Sequence, residues 1–246
     1  MNKTLLKSKL KATAIHLILS GVIFLILSYL IFFVWYPGPY FWVDGGWQGM
    51  RIVAAVDLIL GPVITFSIWN SAKSRREIGF DLFIIAVIQI SALIYGVITT
   101  HAQRPVSVVL IDEFLIPATM DIYADQIKSS DELRQYSPEV PPIIYADFPM
   151  TAEAIEKVHK IKIEQKIIEH AQMHLYKSHD AFVVALKQKQ LLFFQRLDDR
   201  TKRNDFDQWL KRNKKPADSI LIAPFSGRYG MKWLVFNLEG RNIGYF

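Results

Sequence analysis

The amino-acid sequence predicts a membrane protein that has three transmembrane α-helices followed by an exported α+β domain. The chain of 246 residues is 51% hydrophobic and 21% charged, and such a mixture suits an apolar membrane region joined to a polar one. The apolar residues are concentrated before His101 and the charged residues after it. We therefore divide the chain into a cytoplasmic tail at 1–11, a three-helix transmembrane region at 12–100 and an exported domain at 101–246.

Three apolar segments, at about 12–34, 49–69 and 80–100, are each long enough to cross a bilayer as a helix. The first segment rises about 34 Å at ~1.5 Å per residue. It follows a lysine-rich start without acidic residues, and it lacks the short apolar run and the small-residue cleavage site of a signal peptide. We therefore interpret it as an uncleaved signal anchor.

The charges of the loops predict the orientation of the three helices. The N-terminus and the loop at 70–77 are rich in Lys and Arg, whereas the loop at 36–48 has neither and carries Asp44. The positive-inside rule places the N-terminus and the basic loop in the cytoplasm, so the domain after the third span lies outside.

The aromatic segment at 35–47 contains Trp35, Tyr40, Trp42 and Trp47 together with Pro and Gly residues. Pro and Gly end a helix, and amphipathic aromatic rings settle at a membrane–water interface. The segment therefore predicts a short re-entry loop held down by an aromatic belt, with a partner-binding surface as the alternative.

The exported domain is predicted to combine strands and helices. Short runs rich in β-branched or aromatic residues predict strands, and Thr151 as an N-cap with Glu153 in the first turn predicts a helix to about Met173. The predicted strands are 106–111, 143–146 and 219–223, with a hairpin of 232–238 and 242–246, and the other helical segments are 180–196, which can also be mixed, and 205–211.

Asp57 and the pair Gly61-Pro62 in the second span are the sharpest functional candidates. An unpaired charge at bilayer depth costs about 2.5–3.5 kcal/mol, so Asp57 must meet Gln89, His16, a backbone donor or a partner helix. Gly61 lets another helix approach closely, and Pro62 permits a kink because it has no backbone N–H. Asp57 is therefore either structural glue for the three helices or a docking site for a partner.

Other candidate chemistry is weaker. The chain has no Cys, so disulfides and thiolate metal sites are excluded. His170 and His174 have the spacing of a zinc pair on one helix face, but the Glu base of a metalloprotease is missing between them, and a solvated helix face is the simpler interpretation. The basic segment 202–215 predicts a solvated or lipid-facing amphipathic helix and no nucleic-acid partner. We predict no catalytic residue, cofactor or metal.

A set of motifs between residues 49 and 114 resembles the type IV pilin accessory proteins of the TfpX/TfpZ family. Its parts are Asp57-Leu58-Ile59-Leu60-Gly61-Pro62, Lys73-Ser74-Arg75-Arg76, Asp81, Gln89, Ala92-Leu93-Ile94-Tyr95-Gly96, Arg104-Pro105-Val106 and Asp112-Glu113-Phe114. The family has Ala before the Arg-Pro pair, whereas this chain has Gln103.

The resemblance implies a non-enzymatic protein of the bacterial inner membrane whose C-terminal domain is periplasmic. Such a protein would act beside type IV pilus assembly, and so in twitching motility, and would support the stability or assembly of a cognate major pilin in a chaperone-like way. The implied partners are this pilin, other pilus assembly components and membrane lipid. The candidate partner-binding residues are Arg51, Asp57, Gly61, Pro62, Gln89, Tyr95, Gly96, Arg104, Pro105, Asp112 and Phe114.

A mechanistic hypothesis follows: the three-helix region with its buried acid receives the pilin's apolar N-terminal helix, and the exported domain meets the pilin head. Arg51 does not share a helix face with Asp57, and it can extend to the membrane interface. One alternative is a membrane-anchored sensor or regulator whose periplasmic domain binds a ligand or an envelope partner. The other is a membrane enzyme that modifies the envelope or the pilin, although its candidate groups Asp44, His101 and Asp112 are scattered in the sequence.

Overall fold

The structure is a computed structural model, and it describes residues 3–70, 73–198 and 200–246. Positions 1 and 2 of the predicted tail, and 71 and 72 of the predicted basic loop, lie outside the described residues. The chain forms two compact units. The first unit comprises Met1–Pro37 and Gly45–His101, and the second comprises Gly38–Asp44 and Ala102–Phe246.

The helices and strands of the chain alternate irregularly after the third long helix. The α-helices are α1 (Lys3–Tyr29), α2 (Pro39–Val43), α3 (Gly46–Ala54), α4 (Gly61–Ile68), α5 (Arg75–Ala102), α6 (Ala152–Gln165), α7 (His179–Gln188), α8 (Gln190–Gln195) and α9 (Arg200–Asn213). The strands are β1 (Ser107–Ile111), β2 (Phe114–Ala118), β3 (Ile143–Ala146), β4 (Tyr176–Lys177), β5 (Ile220–Gly227), β6 (Gly230–Asn237) and β7 (Asn242–Tyr245).

Three helical stretches are long and apolar enough to cross a membrane: Lys3–Trp35, Gly46–Ile68 and Arg75–Ala102. The predicted spans fall almost entirely within these helices, so three long apolar helices ahead of a sheet domain are confirmed. Polar contacts join the helices at two levels. The indole of Trp69 donates to Ser8 Oγ (2.9 Å), and the hydroxyl of Tyr36 donates to the carbonyl of Thr100 (2.9 Å).

The second long stretch is not α-helical throughout, because a π-helical turn at Ala55–Leu60 separates α3 from α4. The N–H of Gly61 bonds to the carbonyl of Val56, five residues back. Pro62 has no backbone N–H. In an uninterrupted α-helix, the carbonyl four residues earlier would therefore lack its donor, and the proline ring would clash with it. The widened turn ends directly before Gly61-Pro62 and contains Asp57.

The second unit is built on a seven-stranded mixed sheet of order β4-β3-β1-β2-β5-β6-β7. β1 pairs in parallel with β3, β2 pairs in parallel with β5, and the other pairs are antiparallel. The predicted strands and the final hairpin are confirmed. The sequence prediction includes neither β2 nor the two-residue β4. Pro117 would argue against a central strand, and β2 pairs with β5 only at Leu115.

A line of buried hydroxyl groups crosses the core of the second unit. Tyr123 OH lies 2.6 Å from Ser107 Oγ and 2.7 Å from Tyr176 OH, and Tyr176 donates to the carbonyl of His170 at 2.7 Å. Burial raises the pKa of both tyrosines, so both stay protonated at neutral pH. Because the line ends on a backbone carbonyl, it fixes the segment around 170–176 against β1.

The helix predicted from Thr151 to about Met173 is wrong in its length. α6 ends at Gln165, and Lys166 adopts a left-handed conformation with φ 58°. This reversal turns Ile167, which is 5% exposed, into the core. His170 and His174 consequently do not share a helix face, and within 3–70, 73–198 and 200–246 no three metal-ligating side chains are grouped to hold an ion.

The predicted aromatic belt is wrong for Tyr40 and Phe41, which lie in the segment 38–44 of the second unit. Tyr40 and Phe41 of α2 are buried, and the ring of Tyr40 packs edge-on against Phe225 at 5.2 Å. The N–H of Tyr229 donates to the carbonyl of Val43 at 2.8 Å. The same aromatic residues that suit a membrane interface therefore form part of a protein core.

Candidate functional site

The first unit contains a cavity of about 570 Å³, here called the Asp57 cavity, which is lined by α1, α4, α5 and the π-helical turn. Most of its wall is aliphatic, including Leu19, Ile85 and Ile90, and its polar groups include Asp57 and Gln89. Two of the candidate residues from separate spans thus meet at one cavity.

Two polar side-chain atoms of the Asp57 cavity are buried without a hydrogen-bond partner among the described residues. Asp57 is only 5% exposed. Within the part of the chain that the structure describes, Asp57 Oδ2 and Gln89 Nε2 have no hydrogen-bond partner. The two side chains therefore line one cavity, but these two atoms do not bond to each other. The arrangement offers an acceptor and a donor to whatever enters.

The side chains of Gln89 and His16 lie close against the backbone at Gly61. A Cβ built on Gly61 would lie 1.9 Å from Gln89 Nε2 and 2.8 Å from His16 Nε2. The ring of His16 is held by a 2.7 Å hydrogen bond between its Nδ1 and Thr65 Oγ1. The absence of a side chain at Gly61 thus permits this close contact. The imidazole of His16 and the amide of Gln89 both occupy the space that a side chain at position 61 would need.

Replacing Gly61 with Val is expected to destabilise the first unit by about 1–3 kcal/mol, the usual cost of overpacking. The Gln89 amide can swing aside, but His16 is held by Thr65 and cannot move as freely. The thermal unfolding midpoint of the detergent-solubilised chain measures the effect. Gly96→Val is the matched control, because a Cβ on Gly96 meets no neighbouring side chain within 4 Å in the described part of the chain. Equal losses in the two variants would contradict the close approach at Gly61.

The other candidates of the first unit are not gathered at the cavity. Pro62 is buried next to Gly61, whereas Arg51 is exposed. Tyr95 is 74% exposed, and Gly96 has open space beside it. Arg51 and Tyr95 are therefore exposed on the surface of the first unit.

The remaining four candidates lie in the second unit. Pro105 is buried and Arg104 is half-buried, whereas Asp112 is exposed in the turn between β1 and β2 with φ 50°. Phe114 opens β2, and the Arg196 guanidinium lies 5.1 Å from its ring centroid. A local role in forming the β1–β2 turn accounts for the positions of Asp112 and Phe114.

Sequence reasoning missed a cluster in the second unit, here called the Arg228 clasp and formed by Asp44, Gln103 and Arg228. Arg228 Nε donates to Asp44 Oδ1 at 3.1 Å, and Nη2 donates to the carbonyls of Asp44 and Gln103, each at 2.6 Å. Nη1 donates to Gln103 Oε1 at 3.0 Å. One guanidinium thereby ties together three segments that are distant in the sequence.

The two charged side chains of the Arg228 clasp differ in their exposure to solvent. The Asp44 side chain is 0% exposed, whereas that of Arg228 is 34% exposed. Burial raises the pKa of Asp44, although the charge and hydrogen bonds of Arg228 oppose the shift. The Gly-Arg-Tyr-Gly sequence at 227–230 could have signalled a tight turn between strands, but nothing in the sequence pairs Arg228 with Asp44.

The chain is similar in sequence to known fimbrial assembly proteins. The family described as Fimbrial assembly protein FimB matches residues 4–45. Among curated proteins of Dichelobacter nodosus, the chain is 38% identical to the fimbrial assembly protein of serogroup E1 over 138 residues, and 36% identical to that of serogroup I over 138 residues. It is 37% identical over 128 residues to the fimbrial assembly protein of serogroups C1 and C2.

The three alignments differ in coverage. Those with the serogroup E1 and serogroup I proteins cover 55% of this chain and 54% of each relative, so the match spans about half the length of these two proteins. The third alignment covers 52% of this chain and 98% of the relative. No solved structure is significantly similar to the chain.

Proposed function

Because the chain belongs to the family of the fimbrial assembly protein FimB, we propose that it is a membrane-embedded accessory factor of type IV pilus biogenesis. It supports the stability or assembly of a cognate major pilin and catalyses no reaction. Within pilus systems it corresponds to the TfpX/TfpZ accessory proteins, which its motifs at 57–62 and 104–114 resemble.

The observation that carries this proposal is the Asp57 cavity in a unit of three long apolar helices. A protein that only anchors a domain needs apolar helices, but it gains nothing from an acid among them whose Oδ2 has no partner in the described part of the chain. Ionisable residues inside a membrane are rare and usually functional. A cavity of this kind suits the apolar helix of a pilin that waits in the membrane before assembly.

The proposed location follows from the loop charges. The chain spans the bacterial inner membrane with its N-terminus in the cytoplasm and its sheet unit in the periplasm. The sheet unit then faces the compartment in which the pilin head resides. Other assembly components and membrane lipid are further proposed partners.

A sensor function is the second candidate, because the second unit has a cavity of about 290 Å³ beside Asp44, His170 and Arg228. Burial lowers the pKa of His170, so its ring is neutral near pH 7. A small ligand can be accommodated by size, but a sensor with only short cytoplasmic segments requires a separate output protein. Loss of pili without any change in pilin transcription favours the accessory function over this one.

Deleting the gene in its host is expected to remove surface pili and to lower the amount of pilin in the membrane several-fold, while pilin mRNA stays constant. The reason is that an unsupported pilin is exposed to proteolysis before it is assembled. Electron microscopy, immunoblotting and transcript quantification measure the three quantities, and expression of the wild-type chain is the control. Normal piliation and normal pilin levels in the deletion strain would refute the proposal.

A further inference from the structure

We propose that the Asp57 cavity receives an apolar helix whose inserted face carries one hydroxyl or carboxamide side chain. This inference rests on the proposed function only in taking that helix from the pilin. The chemistry of the inserted side chain follows from the cavity itself.

The size and lining of the cavity call for an apolar occupant. Protein interiors are close-packed, with few voids larger than a water molecule, whereas this cavity has a volume of about 570 Å³ and falls within the usual range of binding pockets. α5 is little covered by the rest of its unit, since Ile85 is its one buried residue in the part of the chain that the structure describes. The opening therefore admits side chains from a neighbouring helix.

The polar groups in the cavity decide which apolar occupant fits. Asp57 Oδ2 is an acceptor and Gln89 Nε2 is a donor, and neither has a hydrogen-bond partner among the residues that the structure describes. In hydrocarbon an unsatisfied polar group is costly. A lipid acyl chain can fill the volume but offers neither a donor nor an acceptor, so it leaves both groups unsatisfied.

A side chain that both donates and accepts satisfies the two groups at once. The hydroxyl of Ser or Thr and the carboxamide of Asn or Gln have this capacity. Lys and Arg can only donate, so they would pair with Asp57 and leave the Gln89 amide unbonded. Interhelical hydrogen bonds from such side chains are a regular means of helix association in membranes.

Site-specific photo-crosslinking in pilus-producing cells tests the occupant, with the full-length chain as the only copy. Probes at Leu19 and Ile90 line the cavity. Control probes at Ile18 and Ile88 are exposed to a similar extent but lie outside the cavity lining. We expect a pilin adduct from both lining positions and little or none from the control positions.

Substitutions in the same cells test the polar requirement. Asp57→Leu and Gln89→Leu are each expected to reduce the Leu19 adduct about tenfold, which corresponds to the loss of ~1–2 kcal/mol of interhelical hydrogen bonding. Asp57→Asn keeps an amide oxygen as acceptor and is expected to retain the adduct to within about threefold. Adducts are normalised to the amount of each variant in the membrane, so a poorly folding variant is recognised and the other variant decides.

Each alternative occupant gives a distinct result. Adducts to lipid alone at Leu19 and Ile90 overturn the inference, and so does an unchanged adduct in both leucine variants. A loss in Asp57→Asn as large as in Asp57→Leu indicates a cationic side chain and also overturns it. If deletion abolishes pili but no protein adduct forms, the inference alone fails. If deletion leaves pili normal while another apolar-helix protein is captured, the proposed function alone fails.

Discussion

Replacing Arg228 with Met is expected to lower the free energy of unfolding of the second unit by about 3–5 kcal/mol, the range for breaking a buried ion pair from one side. Met keeps much of the aliphatic length of the side chain but removes the guanidinium. The carboxylate of Asp44, which is 0% exposed, is then left buried without its cation. Asp44 Oδ2 already has no hydrogen-bond partner among the described residues, so the loss falls on a group with little other support.

Asp44→Asn is the matched control and is expected to cost less, about 1–2 kcal/mol. The guanidinium of Arg228 is 34% exposed and can gain water when its charged partner is removed. It also keeps its hydrogen bonds to the carbonyls of Asp44 and Gln103, and the amide oxygen of Asn can accept the remaining bond. The two substitutions are therefore expected to differ in cost. Removing Arg228 leaves the fully buried carboxylate without its cation and costs more than removing the charge of Asp44.

The pH dependence distinguishes an abandoned carboxylate from a simple packing defect. Burial raises the pKa of Asp44 above its unfolded value, so the folded protein binds this proton more readily than the unfolded chain does. Stability from this group therefore falls as pH rises between the unfolded pKa, about 3.9, and the folded pKa. Without Arg228 the folded pKa rises further, and acidification should restore part of the stability of Arg228→Met but none of that of Asp44→Asn.

Urea unfolding of the detergent-solubilised chain, followed by tryptophan fluorescence at pH about 5 and about 8, measures these differences. The expected order of stability at the higher pH is wild type, Asp44→Asn, Arg228→Met. An Arg228→Met variant that loses under about 1 kcal/mol, or that shows no recovery on acidification, would contradict the interpretation of the clasp as a buried charge pair.

Features that depend on residues close together in the sequence could be predicted from the sequence alone. The three long helices could be predicted because about 20 consecutive apolar residues are needed to cross a bilayer. β1 and β3 could be predicted because short β-branched runs favour strands. The sequence also named Gln89 and His16 among the possible neighbours of Asp57, because a polar group in an apolar helix needs a partner, but it left the choice between them open.

Features that depend on distant contacts could not be predicted. The aromatic residues of α2 suit a membrane interface and a protein core equally well. Their burial depends on contact with the distant strand β5, as between Tyr40 and Phe225. Asp44 and Arg228 are 184 positions apart, so neither charge indicates the other. The early end of α6 depends on the burial of Ile167 against the sheet, which outweighs the local preference for helix.

Replacing Gly227 with Ala is expected to destabilise the second unit by about 2–3 kcal/mol, because overpacking and a broken backbone hydrogen bond combine. A Cβ on Gly227 would lie 2.4 Å from the carbonyl oxygen of Val43 and 2.8 Å from its carbonyl carbon. These are backbone atoms, so neither can rotate away. The turn must move, and the 2.8 Å bond from the N–H of Tyr229 to the Val43 carbonyl is then lost.

Gly230→Ala lies at the other end of the same turn and is the control for this prediction. The nearest atom to its added Cβ would be a side-chain methyl of Val43 at 3.3 Å, so a small rotation relieves the contact and the expected cost is under about 1 kcal/mol. Urea midpoints and hydrogen exchange at the Tyr229 amide measure both variants. Equal losses, or a Tyr229 amide that stays protected in Gly227→Ala, would show that the turn does not need a glycine to reach Val43. The predicted difference would instead show that close backbone packing at Gly227 holds the segment 38–44 in place. This packing brings Asp44 to the position in which it pairs with Arg228.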